Sequence, residues 1–87
     1  MNDEMLGEIV DNIVTKADFI AFVNLLSEDA KENLGQWDNF NISLYLLGVA
    51  GWTGDMEGYF RNNNQPIPEQ PTWNLFGHIL FAAKFYE

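Results

Sequence analysis

Cysteine is absent from the 87 residues, so neither a disulfide nor a thiolate zinc site is available. Basic residues are almost as scarce: Lys16, Lys31, Arg61 and Lys84 face thirteen acids, for a net charge of −9. Such a surface repels phosphate backbones and anionic lipid, which argues against binding of nucleic acid or a membrane. It attracts and steers a basic protein instead, while also keeping a small domain soluble. A single histidine, His78, with no cysteine beside it cannot assemble a zinc site of the usual kind. No Ser-His-Asp order, phosphate-cradling loop or metal-ligand spacing is present, so no catalytic residue, cofactor site or metal site is assigned. No apolar run reaches the roughly 20 residues that span a bilayer. The N-terminus has no basic segment followed by a long apolar one, so it is not a signal peptide, and the chain reads as cytoplasmic.

Aromatic residues, by contrast, are plentiful, with seven Phe, three Trp and three Tyr. Each buries on the order of 150–250 Å², enough to give a chain of this length one core without staples. The apolar residues fall at helical spacing throughout, and an all-α domain follows: a small four-helix bundle with helices over 3–13, 16–33, 42–61 and 73–86. The first is short and weakened by Gly7, so it must either pack on the others or stay loosely attached. The second opens on Thr15-Lys-Ala-Asp18, a capping box with Asp in place of Glu, and stops at Gly35, which suits a left-handed cap. Asn39 or Asn41 can cap the third, where Gly48, Gly51 and Gly54 permit either close packing or a break near Thr53. The stretch 62–71 holds all three prolines and reads as a connecting loop. Thr72 then caps the last helix, which is apolar nearly all round and so belongs at the centre.

Several groups of residues carry a resemblance. They are Phe19-x-x-Phe22-Val23, Trp37-Asp-Asn39, Trp52-x-x-Asp55-Met56-Glu57-Gly58-Tyr59-Phe60, and Pro71-Thr-Trp73 followed by the terminal Ala82-Ala83-x-Phe85-Tyr86-Glu87. From about Thr15 to Glu87 the chain resembles a family of small acidic bacterial proteins catalogued as a domain of unknown function. The resemblance implies a bacterial cytoplasmic setting and a chain complete at its C-terminus. It implies no activity and no catalytic residue. Glycine at 48, 51, 54 and 77 departs from the family's pattern.

The candidate interaction surface consists of Trp37, Asp38, Asp55, Glu57, Tyr59, Glu28, Asp29 and Glu32. Glu28, Asp29 and Glu32 crowd the C-terminal turns of the second helix, where acids oppose the helix dipole, so something other than helix stability places them there. Trp37 and the pair Tyr59-Phe60 are the natural aromatic anchors of such a surface, although core packing is the favoured account of all three, and a Trp in a short connection folds back over the core. The sequence therefore points to a non-enzymatic, acidic protein-binding domain with a basic partner, of which an immunity or antitoxin protein is one form. A small structural or homo-oligomeric scaffold is the alternative. A carboxylate-based metal binder or enzyme using Asp55 and Glu57 is the remote one, because residues two apart on an intact helix point away from each other.

Overall fold

The computed structural model describes residues 2–86. As the periodicity predicts, the fold is all-α, with four α-helices and no strand among the described residues: α1 (Asp3–Asp11), α2 (Lys16–Glu32), α3 (Ile42–Asn62) and α4 (Trp73–Ala83). Local chemistry starts each helix. Asn2, Thr15, Asn41 and Thr72 accept hydrogen bonds from the backbone N–H groups of Met5, Asp18, Leu44 and Leu75. The capping box at Thr15–Asp18 is closed in both directions.

α4 packs against all three other α-helices. It divides the interior into two cores. On one side Leu80 and Phe81 pack against Leu6, Val10, Ile13, Phe22, Leu26 and Trp37. On the other, Leu75, Ile79 and Ala82 meet Trp52, Met56 and Phe60 of α3. A helix with a core on either side needs apolar residues on both faces, which accounts for its composition.

Of the two alternatives for α1, the structure shows packing: Leu6, Val10 and Ile13 are buried, and Asn74 Nδ2 donates to the Val10 and Ile13 carbonyls at 3.0 Å each. α3 runs through Gly51 and Gly54 as one helix. The structure departs from the expected pattern at three points. Gly35 does not form a left-handed cap; a short 3-10 turn, Leu34–Gln36, follows α2 instead. Trp73 and Phe76 stay 39% and 40% exposed, although the same turn is docked through buried Leu75 and through Asn74. α4 stops at Ala83 and does not continue to 86. Asn39 ends it, donating from its side chain to the Ala83 and Tyr86 carbonyls at 2.8 and 2.6 Å and from its backbone N–H to the Lys84 carbonyl. Asn41, not Asn39, caps α3.

Just past the end of α4, Lys84 is fully buried, with 0% exposure. Its ammonium donates to Asp29 at 2.7 Å and to Asp3, and stands 5.3 Å from the Trp37 ring centroid and 5.2 Å from that of Phe85. Asp29 also accepts from Trp37 Nε1 at 2.9 Å and Asn33 Nδ2 at 3.1 Å. Burial alone would push the Asp29 carboxyl up. The hydrogen bonds from Lys84, Trp37 and Asn33, with the Lys84 charge, outweigh that and hold it below its ordinary 3.8. Among the described residues no buried side-chain nitrogen or oxygen lacks a partner.

Lys84→Met is expected to cost about 3–5 kcal/mol in urea unfolding, because it strands a buried carboxylate. The double variant Lys84→Met/Asp29→Leu should recover most of that loss; a single-variant cost under about 1 kcal/mol would show the pair to be dispensable. Since the folded-state Asp29 value is depressed, its contribution is full above the ordinary carboxylate range and fades as pH falls through the lower folded value. Unfolding free energy measured below about pH 4 should therefore fall less steeply for Asp29→Asn than for the wild type.

Two glycines of α3 should respond oppositely to alanine. A Cβ on Gly48 would lie 2.7 Å from both the Ala83 carbonyl oxygen and Asn39 Nδ2, whereas one on Gly54 meets nothing within 4 Å. Gly48→Ala is expected to destabilise by about 1–3 kcal/mol. Gly54→Ala should stabilise by about 0.5–1 kcal/mol, and thermal unfolding of the two variants checks the pair of signs.

Candidate functional site

The acids divide by what they already hold. Asp29 is internal and Asp3 is committed to Lys84. Asp18 accepts from the Val14 and Thr15 N–H groups at 3.0 and 3.1 Å, and these bonds hold its carboxyl below the ordinary range. Asp55 accepts from the Tyr86 hydroxyl, and that bond raises the tyrosine above its usual value. Glu4, Glu8, Glu28, Glu32, Asp38, Glu57 and Glu69 make no side-chain hydrogen bond or ion pair among the described residues, and all seven are exposed.

The eight residues proposed from the sequence do not form one surface. Trp37 and Asp29 lie inside and join the Lys84 cluster, so Trp37 packs in the core as its favoured reading has it, and both residues are removed from the candidate surface. Glu28 and Glu32 share a face of α2, while Asp55 and Glu57 lie on α3, and α2 and α3 do not pack on each other. Because α3 is unbroken, Asp55 and Glu57 point about 200° apart. Asp38 is exposed in the connection. Tyr59 is half-buried, with ring centroids of Phe60, Trp52 and His78 at 5.2, 5.4 and 6.2 Å. Glu57 and Arg61 form no ion pair among the described residues.

His78 is buried, with Nε2 3.3 Å from Asp11. Burial lowers its pKa and Asp11 opposes this, with a net downward shift, so the ring is neutral at physiological pH. The neighbouring Tyr59 is raised, by burial and by Asp11. Tyr45 is pushed up to about 12 by burial, and its hydroxyl donates to the Leu80 carbonyl at 2.7 Å. His78 and Tyr45 thus each have a partner, in Asp11 and the Leu80 carbonyl, while Tyr45 also lines two shallow apolar clefts. Among the described residues no cluster of three or more His, Cys, Asp or Glu is placed to hold a metal ion, and no helix is long and apolar enough to cross a membrane.

The open chemistry lies at the other end of the bundle, where α2 and α4 begin. Phe19, Trp73 and Phe76 form a three-ring cluster, with centroids 5.5 Å (Phe19–Trp73), 6.3 Å (Phe19–Phe76) and 6.0 Å (Trp73–Phe76) apart. Helix geometry puts them there: Phe19 follows the Thr15 cap by four residues and Trp73 follows the Thr72 cap directly, so both sit on first turns. Beside Phe19 in sequence, Asp18 belongs to a shallow cleft of about 390 Å³ between α1 and α2. Ile9, Ile13 and Ala21 make its floor, and Glu8, Asn12 and Asp18 its polar rim. The sequence reading missed this site because it assigned Trp73 and Phe76 to the core. The available signal was their position in the first turn of a helix with more apolar residues than one interior can take.

No curated protein and no solved structure matches the chain significantly. A family model does match residues 15–87, which covers α2, α3 and α4 and begins after α1. By that match the chain belongs to the Family of unknown function (DUF7660).

Proposed function

We propose that the chain is a non-enzymatic protein-binding domain whose partner is a basic protein. One observation carries the reading: two aromatic rings left about 40% open, beside an acid-rimmed cleft, in a chain of net charge −9. Aromatic side chains that already pack on one another lose little conformational freedom on binding and serve as interface anchors. The cleft suits a lysine or arginine of the partner, its aliphatic stem lying on Ile9 and Ile13 and its head at Glu8 and Asp18. A guanidinium can also stack on the open face of Trp73. The −9 field accelerates encounter with a basic surface and disfavours acidic ones. Neutralising a basic toxin in a bacterial cytoplasm, as an immunity or antitoxin protein does, is the form of this role that fits both the charge and the absence of a catalytic constellation.

Affinity capture with the tagged full chain from its source cell tests the proposal. A stoichiometric partner of high isoelectric point is expected, with retention that weakens as salt rises. Phe76→Ala and Glu8→Gln should each reduce capture while leaving the thermal transition nearly in place, Phe76→Ala by at least about tenfold. Recovery of no basic partner, or retention indifferent to salt, would overturn the reading.

A further inference from the structure

A second surface differs in kind from the acidic one. Between Asp38 and Asp55 no charged residue occurs, in a chain where 20% of residues are charged. That stretch contains the N-terminal two-thirds of α3, and its outward side is apolar: Phe40, Ile42, Leu46 and Leu47 are 58%, 79%, 59% and 66% exposed, and Leu34 of the neighbouring turn is 45% exposed. At these exposures the five side chains leave on the order of 600 Å² open, at the upper limit for a monomer's largest patch. A standard interface takes roughly 800 Å² from each partner, and the exposed Ser43, Ala50 and Gly54 between the leucines extend the patch towards that area. Gly54 has no neighbour within 4 Å of its Cβ position, so a second helix can approach closely there.

We infer that this face is the interface of a symmetric homodimer, with the occupant a second copy of the same chain. Charge argues for it. A partner recognised through the general field of this protein would be basic and would dock where acids are dense, not on the face where Asp38, beside Leu47 at the edge, is the one acid. An identical copy at −9 is repelled everywhere except where both surfaces are neutral. The geometry meets the same condition. If two α3 helices cross antiparallel about a two-fold axis near Leu46, the leucines of both copies face each other. Asp55 and Glu57 are then carried to opposite ends of the contact, each about 14 Å or more from the axis. The Asp55 and Glu57 carboxylates of one copy then stand roughly 25 Å or more from those of the other, about three times the Debye length of about 8 Å at physiological ionic strength, and the one acid carried towards them is the other copy's exposed Asp38.

Sedimentation equilibrium of the full chain over a concentration series decides the point. Wild type is expected to show a monomer–dimer equilibrium that tightens as salt is raised, because salt screens the repulsion between two −9 chains. This is the reverse of the salt response expected for a basic partner, so one reading can fail while the other stands. Leu46→Glu should weaken the dimer at least about tenfold. Leu47→Glu provides a second, independent variant, and for both the thermal transition of the monomer should be retained, since these side chains face outward. A single-chain mass at every concentration and salt would overturn the inference. So would a dimer left unchanged by both glutamates, or one that salt dissociates.

Discussion

The arrangement of α1, α2 and α4 centres on one buried charge. Lys84 belongs to no helix face; it follows the last turn of α4 and turns its ammonium inward between Asp3 of α1 and Asp29 of α2, under the ring of Trp37. Removing a lysine and a carboxylate from water costs several kcal/mol per ion, and their attraction offsets this only when the remaining donors and acceptors are filled. Here they are filled, since Asp29 takes three hydrogen bonds from three different parts of the chain. The cluster also accounts for an oddity of α2. An acid three residues from the end of that helix opposes its dipole, but a cation brought in from α4 reverses the sign of the interaction.

Around that point, backbone and side chain meet closely in ways that fix how α4 is seated. Asn39 holds its C-terminal carbonyls, and Asn74 from its first turn holds the C-terminal carbonyls of α1. Gly48 and Gly77 allow the approach at each end: a Cβ on Gly77 would lie 2.5 Å from Ile13. Helix ends leave four carbonyls without intrahelical partners, and two asparagine amides serve several of them from inside the bundle. The closing Ala82-Ala83-x-Phe85-Tyr86 motif then has a physical meaning. Ala83 is fully buried, with its carbonyl against Asn39 and the bare Cα of Gly48, and the unassigned position within the motif is Lys84 itself.

What the sequence made legible was local. Caps at Thr15, Asn41 and Thr72, the proline-bearing connection and the centrality of α4 all follow from neighbours a few positions apart. What it hid depends on distance along the chain. Lys84 and Asp29 are 55 positions apart, and nothing in the run Glu28-Asp29-Ala30-Lys31-Glu32 marks Asp29 as the acid that turns inward. Of the two tryptophans at the ends of their elements, Trp37 takes the core role its position in a connection favours, with an internal acceptor for its N–H in Asp29; Trp73 departs from expectation, its ring lying against Phe19 and Phe76 and 39% open.

The buried pair also bears on the surface. Asp29 and Lys84 cancel, so the buried pair takes nothing from the net −9, and only Lys16, Lys31 and Arg61 remain to moderate it. A field of that strength would ordinarily hold every copy apart and give each face the same preference for cations. The sequence does not spread its charge evenly, however. Acids lie along α1 and α2, at the far end of α3 and in the connections, and are missing from the outer side of α3 where the leucines are. Solubility alone does not require that division, because charges interspersed among the exposed leucines would serve it better. A face kept neutral and apolar in so acidic a chain is consistent with being covered, while the open aromatic rings at the opposite end of the fold lie within reach of the acids.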